Sequence, residues 1–352
     1  PGQALQLENF EPDIEGGYKR IRGYQRHVRH VVPQTSSSDE PVLLTTTFAN
    51  KVIAARGQKI FSSATTSLGT SSSNAIAAND SMTGSGVITV VSTTGFSSSG
   101  ALQIDDEQFT YTGVTATTFT GVTRATNSTT ATVHSASSDT TRTVVSESWT
   151  ERDTSRSNAV KYSLERFNFN GSDKLILVDG ANAPVVFNTS IAATDVSESA
   201  VAGASIVTSF REHMFYAGMS STPQEVIFSQ PFDEDAFSSG SGAGSFKVDD
   251  TIVGLKVFRD SLFVFCENRI FKLTGSSSSN FAVTPVTRDI GCINGKTIQE
   301  FAGDLMFLGP DGLRTVAGTA RIGDVELGTI SSNIQSLFDE NISNATAFDS
   351  VV

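Results

Sequence analysis

The residues able to carry chemistry are few and scattered. His27 and His30 are spaced to share a metal across a turn, but no cysteine or carboxylate accompanies them. Asp105, Asp106 and Glu107 supply the hard oxygens calcium prefers; a strand-joining acidic turn needs the same residues and is the favoured reading. Gly240-Ser-Gly-Ala-Gly244 resembles a phosphate loop superficially, lacking the Lys-Ser/Thr and the helix that would follow. Arg211-Glu-His213 reads as part of a hairpin turn. Asn127-Ser-Thr129 fits a glycosylation sequon, with nothing that points to secretion. There is no Gly-x-Ser-x-Gly, no His-Glu-x-x-His and no Cys-x-x-Cys. Carboxylate pairs for hydrolysis leave no linear motif, so they stay open. The expectation is a protein with no catalytic, cofactor-binding or metal-binding residues: not an enzyme.

One cluster stands apart. Lys19, Arg20, Arg22, Arg26 and Arg29 fall close together in a chain of net charge -12. Gly16, Gly17 and Gly23 flank them and permit tight turns. A solvated loop is one reading. The other is a docking arm over residues 1–34, with Tyr18, Lys19, Arg20, Arg22, Tyr24 and Arg26 as an assembly interface for an acidic partner surface or a nucleic-acid backbone.

The framework that must position these residues repeats one phrase: an aromatic, three polar or small residues, an apolar strand, a tight turn and a second apolar run. It reads Phe210 to Met214, Phe258 to Leu262 and Phe301 to Leu305, with a looser copy around Leu175 and an earlier one from Phe48 to Val52. Met214, Leu262 and Leu305 follow Leu175 at intervals of 39, 48 and 43 residues. A period near ~40 residues built of strand and turn marks β-propeller blades. The fold expected is all-β: a β-propeller-like array of antiparallel blades with a small inserted β-domain. Phe48, Phe210, Phe258 and Phe301 should occupy equivalent buried places.

The first blade's strands span 42–61, and the remaining blades 142–328. Between them, 62–80 is a Ser/Thr/Ala connector too poor in apolar residues to pack, and 82–136 alternates short strands with Gly or Asp turns, a separate small β-domain. Ile330, Ile334, Leu337 and Phe338 share a helical face, placing a short helix in 329–340.

Composition narrows the class further. Charged residues make up 18% of 352, and 24 Phe stand against one Trp and five Tyr. That suits a Phe-filled β core. An acidic chain does not bind nucleic acid through a general basic surface. Two cysteines, Cys266 and Cys292, form no disulfide framework and read as free thiols. No apolar run is long enough to span a membrane, and the N-terminus shows no signal-peptide core. The chain starts at Pro1, as a processed terminus or a piece of a longer chain would.

Two stretches carry a resemblance. Gly16-Gly-Tyr-Lys-Arg-Ile-Arg-Gly-Tyr24 after Leu7-Glu-Asn-Phe10 resembles the N-terminal phrase of tailed-phage tail nozzle and tail-stabilisation (tail tubular, portal-plug-like) proteins. So does Ile252 to Leu255 with Phe258-Arg-Asp-Ser-Leu262, then Ile290-Gly-Cys-Ile293, Thr297-Ile298 and Phe307 to Gly312. The insert resembles a small β module of phage structural proteins, through Thr94-Gly-Phe96, Gly100, Asp106-Glu107, Phe109 to Gly113, Phe119 to Arg124 and His134. The chain is shorter than such relatives, which continue into further strands and tip domains. The resemblance implies a virion component of the phage tail, assembled in the host cytoplasm. It would form a homo-oligomeric, hexameric ring below the portal and adaptor, contacting the tail adaptor protein and tail fibre or spike proteins. Viral DNA would cross its channel at ejection without sequence-specific binding. No cofactor and no membrane insertion are implied. The rival reading is a secreted β-propeller carbohydrate-binding module or glycoside hydrolase, which needs an apolar, carboxylate-bearing central mouth.

Overall fold

The computed structural model describes residues 10–12, 18–20, 31–35, 40–63, 69–72, 86–134, 142–146, 149–157, 159, 161–301 and 303–316. The chain falls into two compact units, Pro1–Val31 with Ser67–Glu147, and Val32–Thr66 with Ser148–Val352.

The second unit is a series of antiparallel sheets in chain order. The first holds Val42–Phe48, Lys51–Arg56, Lys59–Ser63 and Trp149–Asp153; the second Ser163–Phe169, Ser172–Val178, Val185–Asn188 and Ala193–Asp195. The third holds Ile206–Phe210, His213–Ala217, Glu225–Phe228 and Gly244–Lys247; the fourth Ile252–Phe258, Ser261–Cys266, Ile270–Thr274 and Ala282–Thr287. The fifth has Gln299–Phe301, Asp304–Gly309 and Gly312–Thr315. The second to fifth sheets are meanders in which every strand pairs with its sequence neighbour; the first is completed by Trp149–Asp153, which follows the insert, and the repeating sheets are the blades of a propeller-like array. The alternation of strand side chains decides the packing. Leu175 and Leu177 pack toward the first sheet, while Ile176 and Val178 pack toward the third. Four separate cores result, each shared by two consecutive sheets.

The repeated phrase is a hairpin. Phe48 pairs with Lys51, Phe169 with Ser172, Phe210 with His213, Phe258 with Ser261 and Phe301 with Asp304, so two residues make each turn. Both central residues have positive φ at Ala49-Asn50, Asn170-Gly171 and Arg211-Glu212, as the twist-matching two-residue turn requires. Arg211 and Glu212 are therefore the turn, as expected, and His213 opens the next strand.

The aromatic positions are equivalent in register but not in burial. Phe48, Phe169 and Phe210 are buried in the core shared with the following sheet, and Phe258 is half-buried there. Phe301 is 65% exposed, contrary to expectation. Its sheet is the last among the described residues, so no described sheet follows to cover it. Phe210→Ala should therefore cost about 3–5 kcal/mol and Phe301→Ala under about 0.5 kcal/mol in urea unfolding.

The insert is wider than 82–136. The chain leaves the first sheet after Lys59–Ser63 and returns as that sheet's fourth strand, where Trp149 pairs with Ser63. Gly69–Ser72, inside the expected connector, is a strand paired with Arg142–Ser146, which in turn pairs with Gly100–Ile104. Arg142–Ser146 thus belongs to the insert and not to the blades. Gly-Thr-Ser-Ser gives no apolar signal; backbone pairing alone makes it a strand. The unit's core is Ile88, Val90, Leu102, Ile104, Phe109, Tyr111, Phe119 and Val122, between the sheet just described, which ends in Glu107–Tyr111, and a second of Gly86–Thr89, Thr118–Val122 and Gly113–Val114. Removing 67–147 and bridging Thr66 to Ser148 with a short Gly-Ser turn should leave the sheets folded, because Ser63 and Trp149, on either side of the deletion, already pair. Removing only 82–136 strands an isolated two-stranded ribbon, which is marginal in water. Limited proteolysis should find the first deletion resistant and the second cut near residue 70.

Phe10–Pro12 pairs with Tyr18–Arg20 in a small hairpin within the expected arm, and the Val31 amide donates to Gln103 Oε1 at 3.0 Å. The expected helix of 329–340, His27 and His30 lie outside the described residues. Cys266 and Cys292 are free and buried, and burial, with Asp250 and Asp249 adding, pushes the Cys266 thiol up to about 12.

Candidate functional site: an inner-strand cavity

The first strand of each blade is an edge strand with one side of its backbone unpaired. Where these innermost strands of the second, third and fourth sheets face one another they line a cavity of about 650 Å³, which the segment Ile293–Lys296 ahead of the fifth sheet also walls. Lys161, Lys256 and Lys296 line it, from three different parts of the chain, with Glu165 as the one carboxylate in its wall. Glu165 Oε1 accepts from the Ser209 amide at 3.1 Å and the Ser209 hydroxyl at 2.7 Å, which fixes that carboxylate against the third sheet. Tyr162 also lines the cavity. Its side chain is 7% exposed and packs in the core shared by the first and second sheets, where burial, with the Asp179 carboxylate adding, raises its phenol.

A short 3-10 turn, Gly295–Thr297, places Lys296. The Asn294 side chain accepts from the Lys296 amide at 2.9 Å and caps it. The turn presses on the inner strand of the fourth sheet: a Cβ at Gly295 would lie 2.0 Å from the Val253 carbonyl oxygen and 3.1 Å from Gly254 Cα. Neither atom can rotate away, so Gly295→Ala should displace the turn at a cost of about 1–3 kcal/mol, read as a lowered Tm.

The opposite ends of the inner strands are held by arginines. Arg211 Nη2 donates to the Asp260 carbonyl at 3.4 Å, Arg259 Nη2 to the Gly303 carbonyl at 2.9 Å, and Arg166 to the Thr47 carbonyl. Arg211 and Arg259 each tie their own hairpin turn to that of the following sheet, and Arg166, within its strand, ties the second sheet to the last residues of the first sheet's opening strand. Arg211 and Arg259 also stack over Phe210 and Phe258, 5.4 and 5.0 Å from the ring centroids.

The residues singled out from sequence land elsewhere. Tyr18, Lys19 and Arg20 form the second strand of the small hairpin; Arg22, Tyr24 and Arg26 lie outside the described residues. Asp105 and Asp106 are the two-residue turn between Ile104 and Glu107, with Asp105 at φ 53°. Glu107 is fully buried and grips Arg124 through both oxygens, at 2.8 and 2.7 Å. His134 lies with its ring nitrogens 2.9 Å from Glu107 Oε2 and 2.8 Å from Asp105 Oδ2. The acidic cluster is thus an internal clasp, and no group of metal-ligating side chains occurs among the described residues. Gly240 and Gly242 lie in and beside a 3-10 turn between strands, not ahead of a helix. No helix among the described residues is long and apolar enough to cross a membrane. The cavity lysines were missed because they come from positions 161, 256 and 296, with no shared local pattern.

No protein-family model and no curated protein matches the chain. Solved structures similar to it include a chain of the nidogen/laminin complex, at 8% identity and a TM-score of 0.34, covering 72% of this chain and 90% of that one. A phage phi92 endosialidase has 13% identity and a TM-score of 0.31, covering 76% and 52%. A chain of the complex of BBS1N with ARL6DN has 9% identity and a TM-score of 0.28, covering 87% and 84%.

Proposed function

We propose that the chain is a structural virion protein, a subunit of a phage tail nozzle or tail-stabilisation ring. In this reading the propeller-like array is a rigid frame, and the basic N-terminal segment contacts a neighbouring subunit or an adaptor. The observation that carries the reading is where the family-like residues stand. Glu107, Arg124 and His134 form the internal clasp of the inserted module, and Phe258 to Leu262 form the inner hairpin of the fourth sheet. These are framework positions, so the resemblance concerns architecture and not a mouth that binds substrate. The rival hydrolase reading requires two carboxylates flanking a scissile bond. The inner-strand cavity offers Glu165 alone, and lysines where an apolar wall was required.

Light scattering with electron microscopy of the full chain at physiological salt tests this. A ring of about six chains is expected, and Arg20→Ser, Arg22→Ser and Arg26→Ser together should leave Tm unchanged and abolish the ring, since in this reading the three charges serve assembly and not folding. A monomer, or a triple variant that still assembles, would overturn the ring or the docking role respectively.

A further inference from the structure

We propose that the inner-strand cavity binds a small multivalent oxyanion, an oligophosphate or polycarboxylate. Three lysines, Lys161, Lys256 and Lys296, are among the residues lining one concavity, with Glu165 as the one carboxylate residue in that lining. That local excess of positive charge sits in a chain of net charge -12, so the general composition does not produce it. The size fits: about 650 Å³ lies within the range of small-ligand sites, roughly 300–1,000 Å³.

The chemistry of the lining selects the ligand class. No arginine is among the lining residues, so no planar fork is present for a single carboxylate to dock against. Lysine ammoniums are point charges with three rotatable donors each, and three of them from separate segments suit an anion whose charge is spread over several oxygens. The carboxylate in the lining is held: Glu165 Oε1 already accepts two hydrogen bonds from Ser209. Lys296 does not depend on a floppy loop for its place, because its turn is capped by Asn294 and wedged against Val253 through Gly295. The cavity is a feature of one chain, and binding does not require ring assembly.

Calorimetric titration of the full chain with sodium tripolyphosphate, and separately with citrate, tests the site. One ligand per chain is expected, and the stronger of the two identifies phosphate or carboxylate as the preferred oxygen source. The double variant Lys256→Gln with Lys296→Gln should weaken binding at least about tenfold. Lys247→Gln removes one positive charge from an exposed outer strand and should leave affinity unaltered. A measurement free of variants accompanies it: acetylation of Lys161, Lys256 and Lys296, followed by mass spectrometry, should slow when tripolyphosphate is present, while Lys247 reacts as before. Absence of binding to both anions, equal loss in Lys247→Gln, or acetylation that slows uniformly or not at all would overturn the proposal.

Discussion

Replacing Arg156 by methionine is expected to destabilise the second unit by about 3–5 kcal/mol at neutral pH, the cost of leaving buried carboxylates without their cation. Arg156 is 1% exposed. Its Nε donates to Asp153 Oδ2 at 2.7 Å, its Nη1 to the Ala183 carbonyl at 2.6 Å, and its Nη2 bonds Asp195. The guanidinium thereby joins the end of the first sheet's fourth strand, which returns from the insert, to the second sheet. Asp179, also buried, lies 4.0 Å from Nη1 and is otherwise held by the amides of Ala181 and Asn182. Methionine keeps much of the volume and removes the charge, so the loss reads the electrostatics and not a cavity.

The pH dependence gives the sign. Burial alone would raise the Asp153 carboxyl, but hydrogen bonds from Arg156 and Ser155 outweigh it and leave the group below its ordinary value of 3.8. A depressed carboxylate contributes stability that is present above about pH 4 and is lost as pH falls through the folded value. In Arg156→Met that contribution is already gone. Urea midpoints of the two proteins should therefore differ most near pH 7 and converge as pH falls below the ordinary carboxyl value of 3.8. A constant difference across that range would mean that packing, not charge, carries the arginine's role.

Arg156 also shows why some of this molecule was legible in the sequence and some was not. The inner hairpins could be read because two local rules coincide. An aromatic closes one strand, two residues turn, and an apolar run pairs back, all within about ten residues. Burial of the aromatic is a different matter, since it depends on the neighbouring sheet; Phe210 and Phe301 look alike in sequence and differ completely in exposure. The insert's core strands announced themselves through Phe109, Tyr111 and Phe119. Its outer ribbon did not, because Gly69–Ser72 pairs as a strand without any apolar residue in its sequence. The polar clusters were the least visible. Asp153, Arg156, Asp179 and Asp195 are spread over 43 positions of chain, and the cavity lysines over more than a hundred. Nothing in linear spacing distinguishes a charge that will be buried by a partner from one that stays in water. The clasp of the insert was half legible: Asp105, Asp106 and Glu107 read as an acidic turn, which Asp105 and Asp106 are, while Glu107 one step further is an interior group.

Glu107→Gln should accordingly be the most damaging single change in the first unit, by about 3–5 kcal/mol. The carboxylate is fully buried and accepts from Arg124 Nε and Nη2, from the Ala125 amide at 3.2 Å and from the Thr132 amide at 2.9 Å, with His134 Nε2 at 2.9 Å. Five donors converge on two oxygens. They draw together the segment after Thr118–Val122 and the stretch ending at His134, neither of which has a long strand to hold it. Arg124, also hydrogen-bonded to the Thr132 carbonyl, stacks over Phe109 at 5.5 Å and is itself buried, so glutamine takes from a buried guanidinium the carboxylate that grips it. The amide NH₂ of glutamine would further meet a donor where an acceptor stood. Burial tends to raise the Glu107 carboxyl, yet Arg124, the Thr132 amide and His134 hold it below its ordinary 4.5. Its contribution is thus present above about pH 4.5 and lost as pH falls through the folded value. His134 adds a condition, since both its nitrogens face carboxylate oxygens and both contacts can be hydrogen bonds only when both nitrogens carry protons. Hydrogen exchange is the discriminating measurement. In Glu107→Gln the amides of Ala125 and Thr132 should lose protection, while those of Leu175 to Val178 in the second sheet keep theirs. Retained protection at Thr132 would show that the clasp is incidental to the module's fold.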